Sequence, residues 1–379
     1  MDLRWNDEQK MIAESADVFL QEKSTSAQVR KVAEHGDGFD RELWQETVEM
    51  GWLSVALPEQ AGGMGLGWTE LVLLQEKMGY HLACIPFLDA AVALAPLWRQ
   101  MAQTQAGAAT VQRLTQSAAV CVLGMTVDGA LCGDAQVAEQ GGAWVLNGVW
   151  EQVGSARHAD VLLLPATLPS GQLALLEVPA TAAGVQVQSL QTVDATRSSA
   201  HVRAQGVALS AAQVLIEGPA LQALWPRLRY LAAIGLAAEQ VGVAERALDL
   251  TVNYTKERYQ FGKAVAAFQG VKHRVAQMLV KVETARSAVY GAAYMADHGA
   301  SDDALLLFAA QARTEATEAA LFATRESIQL HGGVGFTWEF DPHLYFRRAQ
   351  ASSQRLGALS QWREAVAQQL LDGAEETVA

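Results

Sequence analysis

The sequence has little charge and no excess of basic residues, and both shortages exclude classes of protein. Charged residues make up 18% of the 379 and hydrophobic residues 50%, so most of the chain can bury a core and is not intrinsically disordered. The 28 Lys and Arg residues are outnumbered by 41 Asp and Glu residues, giving a formal net charge of −13. A nucleic-acid-binding protein needs a basic face to displace counterions, so we expect no nucleic-acid partner.

Cysteine is scarce, and its spacing predicts neither a disulfide framework nor a metal site. Cys84, Cys121 and Cys132 are odd in number and form no CxxC pair or Cys/His cluster. We therefore expect reduced thiols that fill the core of a cytoplasmic protein. No other grouping of His, Cys and carboxylates predicts a bound metal.

Long apolar runs are also missing. The most apolar stretch, residues 82–98, carries Asp89 and is interrupted by Pro86 and Pro96. It falls short of the roughly 20 uninterrupted apolar residues that a membrane-spanning helix needs. The polar first residues do not resemble a secretory signal. We expect no membrane span.

The spacing of apolar residues changes twice along the sequence. Helical spacing of apolar residues gives way to short Val- and Leu-rich runs separated by Gly, Asn and Pro, and then returns. We predict an α+β fold: an N-terminal α-helical domain (1–117), a middle antiparallel β domain (118–217) and a C-terminal four-helix bundle (218–379). The predicted strands are Ala119–Leu123, Trp144–Leu146, Val161–Leu164, Leu173–Val178, Val185–Val187 and His201–Val207. The predicted bundle helices are Pro219–Arg258, Phe268–Asp297, Asp303–Leu330 and Ser352–Leu371.

Two segments of the bundle carry residues suited to a phosphate-containing ligand. Arg258–Gly262 ends one helix, and Phe268-Gln269 opens the next. An Arg side chain and a helix start both offer hydrogen-bond donors to phosphate, although the same pattern fits a capping Arg in a helical hairpin. The second segment, Gln329–Phe336, has three Gly residues within four positions. Such a run lets a backbone approach a ligand closely, or serves only as a helix C-cap and turn.

Together, at this order and separation, the two segments resemble the acyl-CoA dehydrogenase family. In that family the Arg-x-x-Phe-Gly and Gln-x-x-Gly-Gly segments of one subunit grip the ADP half of an FAD that is seated mainly on a neighbouring subunit. The likeness extends along nearly the whole chain through four further segments: Pro58–Gly65, Asn147-Gly148, Glu239–Leu250 and Gly332–Arg348.

The resemblance implies α,β-dehydrogenation of an acyl-CoA thioester with FAD as cofactor and an electron-transfer flavoprotein as a further partner. A carboxylate removes the α proton in this chemistry, and its pKa must suit a weakly acidic carbon. The implied FAD-binding residues are Arg258, Phe261, Phe268, Gln269, Gln329, Leu330, His331, Gly332 and Gly333.

The same resemblance reveals four departures around the flavin ring. The usual position of the catalytic Glu holds Leu356, and the alternative position used by a minority of the family holds Ala232. A flavin-wrapping Thr-Glu-Pro segment is replaced by Met125–Gly129. An aromatic-Ile-Thr segment over the flavin is replaced by Gln152–Gly154. We therefore assign no catalytic residue to this chain.

Three hypotheses remain open. The favoured one is the non-catalytic subunit of a heteromeric (α2β2) acyl-CoA dehydrogenase that acts on a bulky acyl-CoA of the steroid side-chain type. The second is a self-sufficient homo-oligomeric dehydrogenase or oxidase with an unrecognised base, for which Glu239 and Glu339 are the candidates. The third is a binding protein on the same fold without redox activity.

Simpler roles are available for the two candidate carboxylates and for two further residues. Glu239 fits helix packing or an interface, and Glu339 fits an ion pair with Arg347 or Arg348. Arg197 lies in a segment that resembles a family loop near the acyl-CoA, and it could equally hold a turn. For His331 we expect a structural role in preference to cofactor contact.

Overall fold

A computed structural model describes residues 4–126, 129 and 134–378 of the chain, with side chains as far as residue 371. It confirms the α+β fold, in which helices precede and follow a β-sheet. The helices before the sheet are α1 (Asp7–Lys23), α2 (Ser26–His35), α3 (Arg41–Glu49), α4 (Trp68–Tyr80), α5 (Ala95–Met101) and α6 (Gln105–Gln116). Those after it are α7 (Pro219–Glu257), α8 (Gln269–Asp297), α9 (Asp302–His331), α10 (Pro342–Gln354) and α11 (Leu359–Val378).

Side-chain caps begin the N-terminal helices. Asn6 and Gln9 form a capping box at α1, and Thr25 and Asp40 accept from backbone N–H groups in the first turns of α2 and α3. Such caps satisfy donors that the helix itself leaves unpaired. Between α4 and α5, the segment Leu88–Val92 forms a π-helical turn.

The middle of the chain forms a sheet whose order is β6-β7-β3-β2-β4-β5-β8, with β1 paired to β4. Its strands are β1 (Cys121–Leu123), β2 (Gln136–Gln140), β3 (Ala143–Gly154), β4 (Val161–Thr167), β5 (Leu173–Pro179), β6 (Val185–Ser189), β7 (Ser199–Leu209) and β8 (Val214–Glu217). Each predicted strand is present, and β2 and β8 are additional. Pairing is antiparallel, as predicted, except that β4 pairs in parallel with β1 and, at one position, with β2.

The C-terminal helices form a bundle in which α7, α8 and α9 pack side by side. The first three predicted bundle helices are confirmed to within a residue or two. The fourth prediction, a continuous helix over Ser352–Leu371, is wrong. Leu356 and Gly357 adopt φ values of 59° and 96°, a left-handed conformation that a right-handed helix cannot include. Helix α10 therefore ends before this turn, at Gln354, and α11 begins after it, at Leu359.

A close crossing joins α4 to α7. A Cβ atom added at Gly242 would lie 2.6 Å from the backbone nitrogen of Tyr80 and closer still to the carbonyl oxygen of Glu76. Gly79 meets the carbonyl of Glu239 in the same way. The two helix backbones are therefore in contact here, and Gly is required on both sides.

Cys84 and Cys121 are buried and unpaired, as predicted, and Cys132 lies outside the described residues. Burial raises the pKa of the Cys84 thiol to about 12, so this thiol is protonated at neutral pH. In the described part of the chain, every helix is too short or too polar to cross a membrane.

Candidate functional site

The residues predicted to hold the ADP half of FAD lie at one end of the bundle. Arg258 follows the last residue of α7, and its carbonyl accepts from Val265 N–H at 2.8 Å. Between them the chain makes a two-stranded hairpin, β9 (Tyr259-Gln260) and β10 (Lys263-Ala264). Phe261 at the tip is 92% exposed. The Arg258 side chain is likewise exposed, so both are accessible to a neighbouring molecule.

The start of α8 borders the same hairpin. Phe268 precedes the first residue of α8, Gln269, and offers no side-chain hydrogen bond to the first turn. The Phe268 ring packs edge-on against Phe261, with centroids 6.3 Å apart, and lies under the ammonium of Lys263 at 4.2 Å. An uncapped helix start beside an exposed Arg is an arrangement that binds anions well.

The second predicted segment reaches this same end of the bundle. The rings of Tyr254, one turn before Arg258, and His331, the last residue of α9, stack 4.3 Å apart. Gln329 is exposed and Leu330 half-buried. Gly332 and Gly333 are exposed, and added Cβ atoms there would meet nothing within 4 Å. A ligand can therefore approach this backbone closely.

His331 itself is turned inward. Its ring is buried between Tyr254 and Phe340, and Nδ1 lies 2.6 Å from the carbonyl oxygen of Ser327. Burial lowers the pKa of His331, so the imidazole is neutral at pH 7. The ring stabilises this end of the bundle, and any contact of His331 with a cofactor falls to its backbone.

The positions matched to the flavin ring and to the catalytic base converge on one cleft. Met125, Thr126, Gln152, Gly154, Ala232 and Leu356 all line it. The structure thus brings together six residues that are dispersed in the sequence. Val127 and Asp128, which also belong to the replaced flavin-wrapping segment, lie outside the described residues. The cleft has a volume of only about 30 Å³, enough for one or two water molecules. With Arg355 paired to Asp89, this cleft is too small for the tricyclic ring of a flavin. A second cavity of about 250 Å³ shares Gln152, Gly154 and Arg355 in its lining.

An ion pair that we did not predict occupies the cleft. Arg355 donates to Asp89, and Asp89 also accepts from the hydroxyl of Ser155 at 2.6 Å. Two signals in the sequence pointed to these residues. Asp89 is the single charge within an apolar stretch, and Arg355 directly precedes the residue at the usual base position.

Glu239, the first candidate base, is locked in a buried network. It pairs with Arg197 and lies 3.8 Å from Arg348, and it accepts from Gln75 at 3.1 Å. Burial alone would raise the pKa of Glu239, but attraction to Arg197 and Arg348 outweighs it and lowers that pKa to about 2. A carboxylate held so firmly in its charged form is a poor proton acceptor at neutral pH. The network confirms a helix-packing role for Glu239.

The predictions for Glu339 are wrong. Its side chain is exposed, away from the cleft where a catalytic base would lie. Arg348 pairs with Asp194 at 2.6 Å, and the guanidinium of Arg347 lies over the Trp338 ring at 5.7 Å. No ion pair of Glu339 with either Arg is present. Exposure lets water solvate this carboxylate, and it lines none of the cavities found in the described part of the chain.

The residues present therefore fit one half of FAD and not the other. The bundle end offers an exposed Arg, an uncapped helix start and an open Gly-Gly backbone for the ADP half. The cleft is too small for the flavin ring and has no carboxylate with a free oxygen among its described residues. Within those residues no cluster of His, Cys, Asp and Glu suited to a metal ion is present either.

Helices before and after a β-sheet are the arrangement found in flavin-dependent oxidoreductases that act on acyl thioesters. Models of the acyl-CoA dehydrogenase N-terminal and C-terminal domains match residues 6–116 and 230–374. The chain belongs to the acyl-CoA dehydrogenase family, whose members depend on FAD.

Individual relatives agree with this assignment. The chain is 31% identical to acyl-CoA dehydrogenase IpdE2 of Mycobacterium tuberculosis over 351 residues, 92% of this chain and 93% of that protein. Among solved structures it aligns with the steroid ACAD Tcur3481-Tcur3483 at a TM-score of 0.85 and 29% identity, covering 97% and 99% of the two chains. It aligns with the ChsE4-ChsE5 complex from M. tuberculosis at a TM-score of 0.84 and 28% identity, covering 98% and 99%.

Proposed function

We propose that this chain is the non-catalytic subunit of a heteromeric, FAD-dependent acyl-CoA dehydrogenase. The observation that carries the proposal is the contrast between its two half-sites: the edge for the ADP half is exposed and complete, and the flavin-ring cleft is closed. A chain built this way contributes to a cofactor whose reactive ring lies on a related catalytic subunit. An α2β2 heterotetramer accommodates two such pairs.

The chain's own residues then have a defined task across the interface. Arg258 supplies charge-assisted hydrogen bonds to the phosphates of FAD, and the first turn of α8 at Gln269 adds backbone N–H groups. The open backbone at Gly332 and Gly333 allows close approach of the ligand, with Gln329 and Leu330 beside it. Phe261 and Phe268 supply apolar contact. When bound, FAD accepts the hydride in acyl-CoA dehydrogenation.

A steroid side-chain acyl-CoA, or another bulky acyl-CoA, is the substrate class we propose. Support comes from two similar structures, one of which is a steroid ACAD and the other the ChsE4-ChsE5 complex. An electron-transfer flavoprotein is the proposed electron acceptor. We place the enzyme in the cytoplasm.

The alternative of a self-sufficient enzyme needs a carboxylate that is free to take a proton in the cleft. Glu239 is held in its charged form, and Glu339 is exposed away from the cleft. Asp89 does line the cleft, but one of its oxygens faces Arg355 and the other accepts from Ser155. These contacts favour the subunit hypothesis over the self-sufficient enzyme.

The test is FAD retention by a co-expressed complex. We expect the chain alone to be colourless and its complex with a family member that has the catalytic Glu to be yellow, with fewer flavins than subunits. Arg258→Ala should weaken FAD binding by the complex about 10-fold or more, since one charge-assisted hydrogen bond contributes about 1.5–3 kcal/mol. Arg203→Ala, an exposed Arg on β7, is the matched control and should leave FAD binding unchanged.

Three results would refute the proposal. A yellow, active homotetramer purified from this chain alone would show that it is self-sufficient. Absence of flavin with any partner, or equal FAD retention by Arg258→Ala and native complexes, would favour a binding protein without a redox role.

A further inference from the structure

We propose that the Asp89–Arg355 ion pair is a built-in seal that fills the flavin-ring cleft of this chain, and that Gly154 is the residue that makes room for it. The inference extends the proposed function to the half-site that the chain does not use. It rests on the proposed function for the statement that the flavin ring belongs to the partner.

The backbone aims Asp89 into the cleft from one side. Asp89 lies in the π-helical turn Leu88–Val92, and such turns redirect a side chain that a regular helix would point elsewhere. Ser155 reaches the same carboxylate from the end of β3. It adopts a left-handed conformation with φ of 57°, an uncommon state for a residue with a side chain.

Arg355 enters from the opposite side and is held there by the end of α10. The buried guanidinium of Arg313 donates to the carbonyl oxygens of Ser352 and Arg355, both at 2.8 Å. These bonds fix the turn in which Leu356 has φ of 59°. The Arg355 side chain is thereby directed toward Asp89, and the Leu356 side chain lines the cleft.

Gly154, the last residue of β3, leaves the space that the Asp89–Arg355 ion pair occupies. A Cβ atom added at this position would lie 2.6 Å from Oδ1 of Asp89 and closer still to Nη2 of Arg355. Any residue larger than Gly here, including the Thr that the family resemblance places at this position, would displace the pair. The missing Thr is therefore not an isolated loss but the counterpart of the ion pair.

The seal gives the two chains of the complex different duties. With the guanidinium and carboxylate in place, about 30 Å³ remains in the cleft, so a flavin ring is excluded from this cleft by volume. This subunit can then bind the ADP half of FAD, and its own cleft offers no second binding site for the flavin ring.

The experiment is a double-mutant cycle on the full chain, followed by thermal unfolding. Gly154→Ala should lower the melting temperature by about 2 °C in the native background, because its Cβ would push Nη2 of Arg355 away from Asp89 and weaken a hydrogen bond between charged groups that contributes about 1.5–3 kcal/mol. In the Asp89→Ala/Arg355→Ala background the same change should cost nothing, since both groups that it meets are gone. Gly148→Ala is the matched control. Gly148 is also on β3 but away from the pair, and its added Cβ would lie 2.6 Å from Cβ of Ala135, so its cost should be equal in both backgrounds.

A second measurement needs no variant. Lumiflavin, which has the flavin ring but no ADP half, should show no saturable fluorescence quenching with the native chain. Saturable lumiflavin binding would overturn the seal, as would an equal cost of Gly154→Ala in the two backgrounds. These failures differ from failure of the proposed function, which is judged on whether Arg258→Ala releases FAD from the complex.

Discussion

Replacing Glu239 by Gln separates a structural carboxylate from a catalytic one. Glu239 lies beside the guanidinium groups of Arg197 and Arg348, and its pKa falls from 4.5 to about 2 on folding. A shift of that size contributes about 3 kcal/mol to the free energy of unfolding at neutral pH, because each tenfold change in proton affinity corresponds to about 1.4 kcal/mol. Glu239→Gln should therefore lower that free energy by about 3 kcal/mol, chiefly because Arg197 is left without a carboxylate partner.

The pH dependence has a definite sign. Since the folded-state pKa of Glu239 lies below its unfolded value, the contribution is fully present above about pH 4.5 and is lost as the pH falls toward 2. The difference between native and Glu239→Gln proteins should thus be largest at pH 7 and fall below half of that at about pH 3.

Urea unfolding at the two pH values measures this difference directly. Glu339→Gln, at an exposed carboxylate, serves as the control and should match the native protein. Equal stability of the Glu239→Gln and native proteins at pH 7 would refute the reasoning. So would loss of turnover by an assembled enzyme whose stability and flavin content are unchanged, since that result is expected only of a catalytic base.

Three further changes test other parts of the fold. Gly242→Ala should lower the free energy of unfolding by about 3 kcal/mol in urea titrations, because its Cβ overlaps a backbone carbonyl of α4. The control is Gly291→Ala within α8, where an added Cβ has open space. It should raise the free energy of unfolding by about 0.5–1 kcal/mol. Arg313→Met should lower the free energy of unfolding by about 2–4 kcal/mol, since the carbonyls that end α10 lose their donor. Thermal unfolding followed by circular dichroism should then show a lower midpoint temperature. The pKa of His331 is lowered by burial, so stability should decline as the pH falls below about 6.5, and His331→Phe should abolish that part of the decline in unfolding measured at pH 7 and pH 5.5.

Most of the fold followed from hydrophobic periodicity. The elements that did not are those in which local sequence and structure disagree. β2 is exposed except at Val137, its one buried side chain, and one buried residue in five gives no apolar alternation to detect. The break between α10 and α11 lies at a Leu, a good helix former, and Gly357 just after it was the available signal.

The candidate site was predictable where it depends on short segments. The bundle-end residues lie in two motifs, and the structure brings both to one end of the molecule. The seal was not predictable in the same way, because Asp89 and Arg355 are 266 positions apart. Each residue stands out in the sequence by its position, but only tertiary packing makes the two neighbours.

One long helix, α7, links the two half-sites. Ala232 lines the closed cleft, Glu239 anchors the buried ion-pair network, and Arg258 follows its last residue, so an axis of about 39 Å runs from the cleft to the cofactor edge. Because a helix backbone is stiff, a shift where α4 crosses α7 also moves the end of α7 and the exposed guanidinium of Arg258 that follows it. Packing at this buried crossing thereby helps to set the position of Arg258, the residue that we propose contacts a cofactor shared with another subunit.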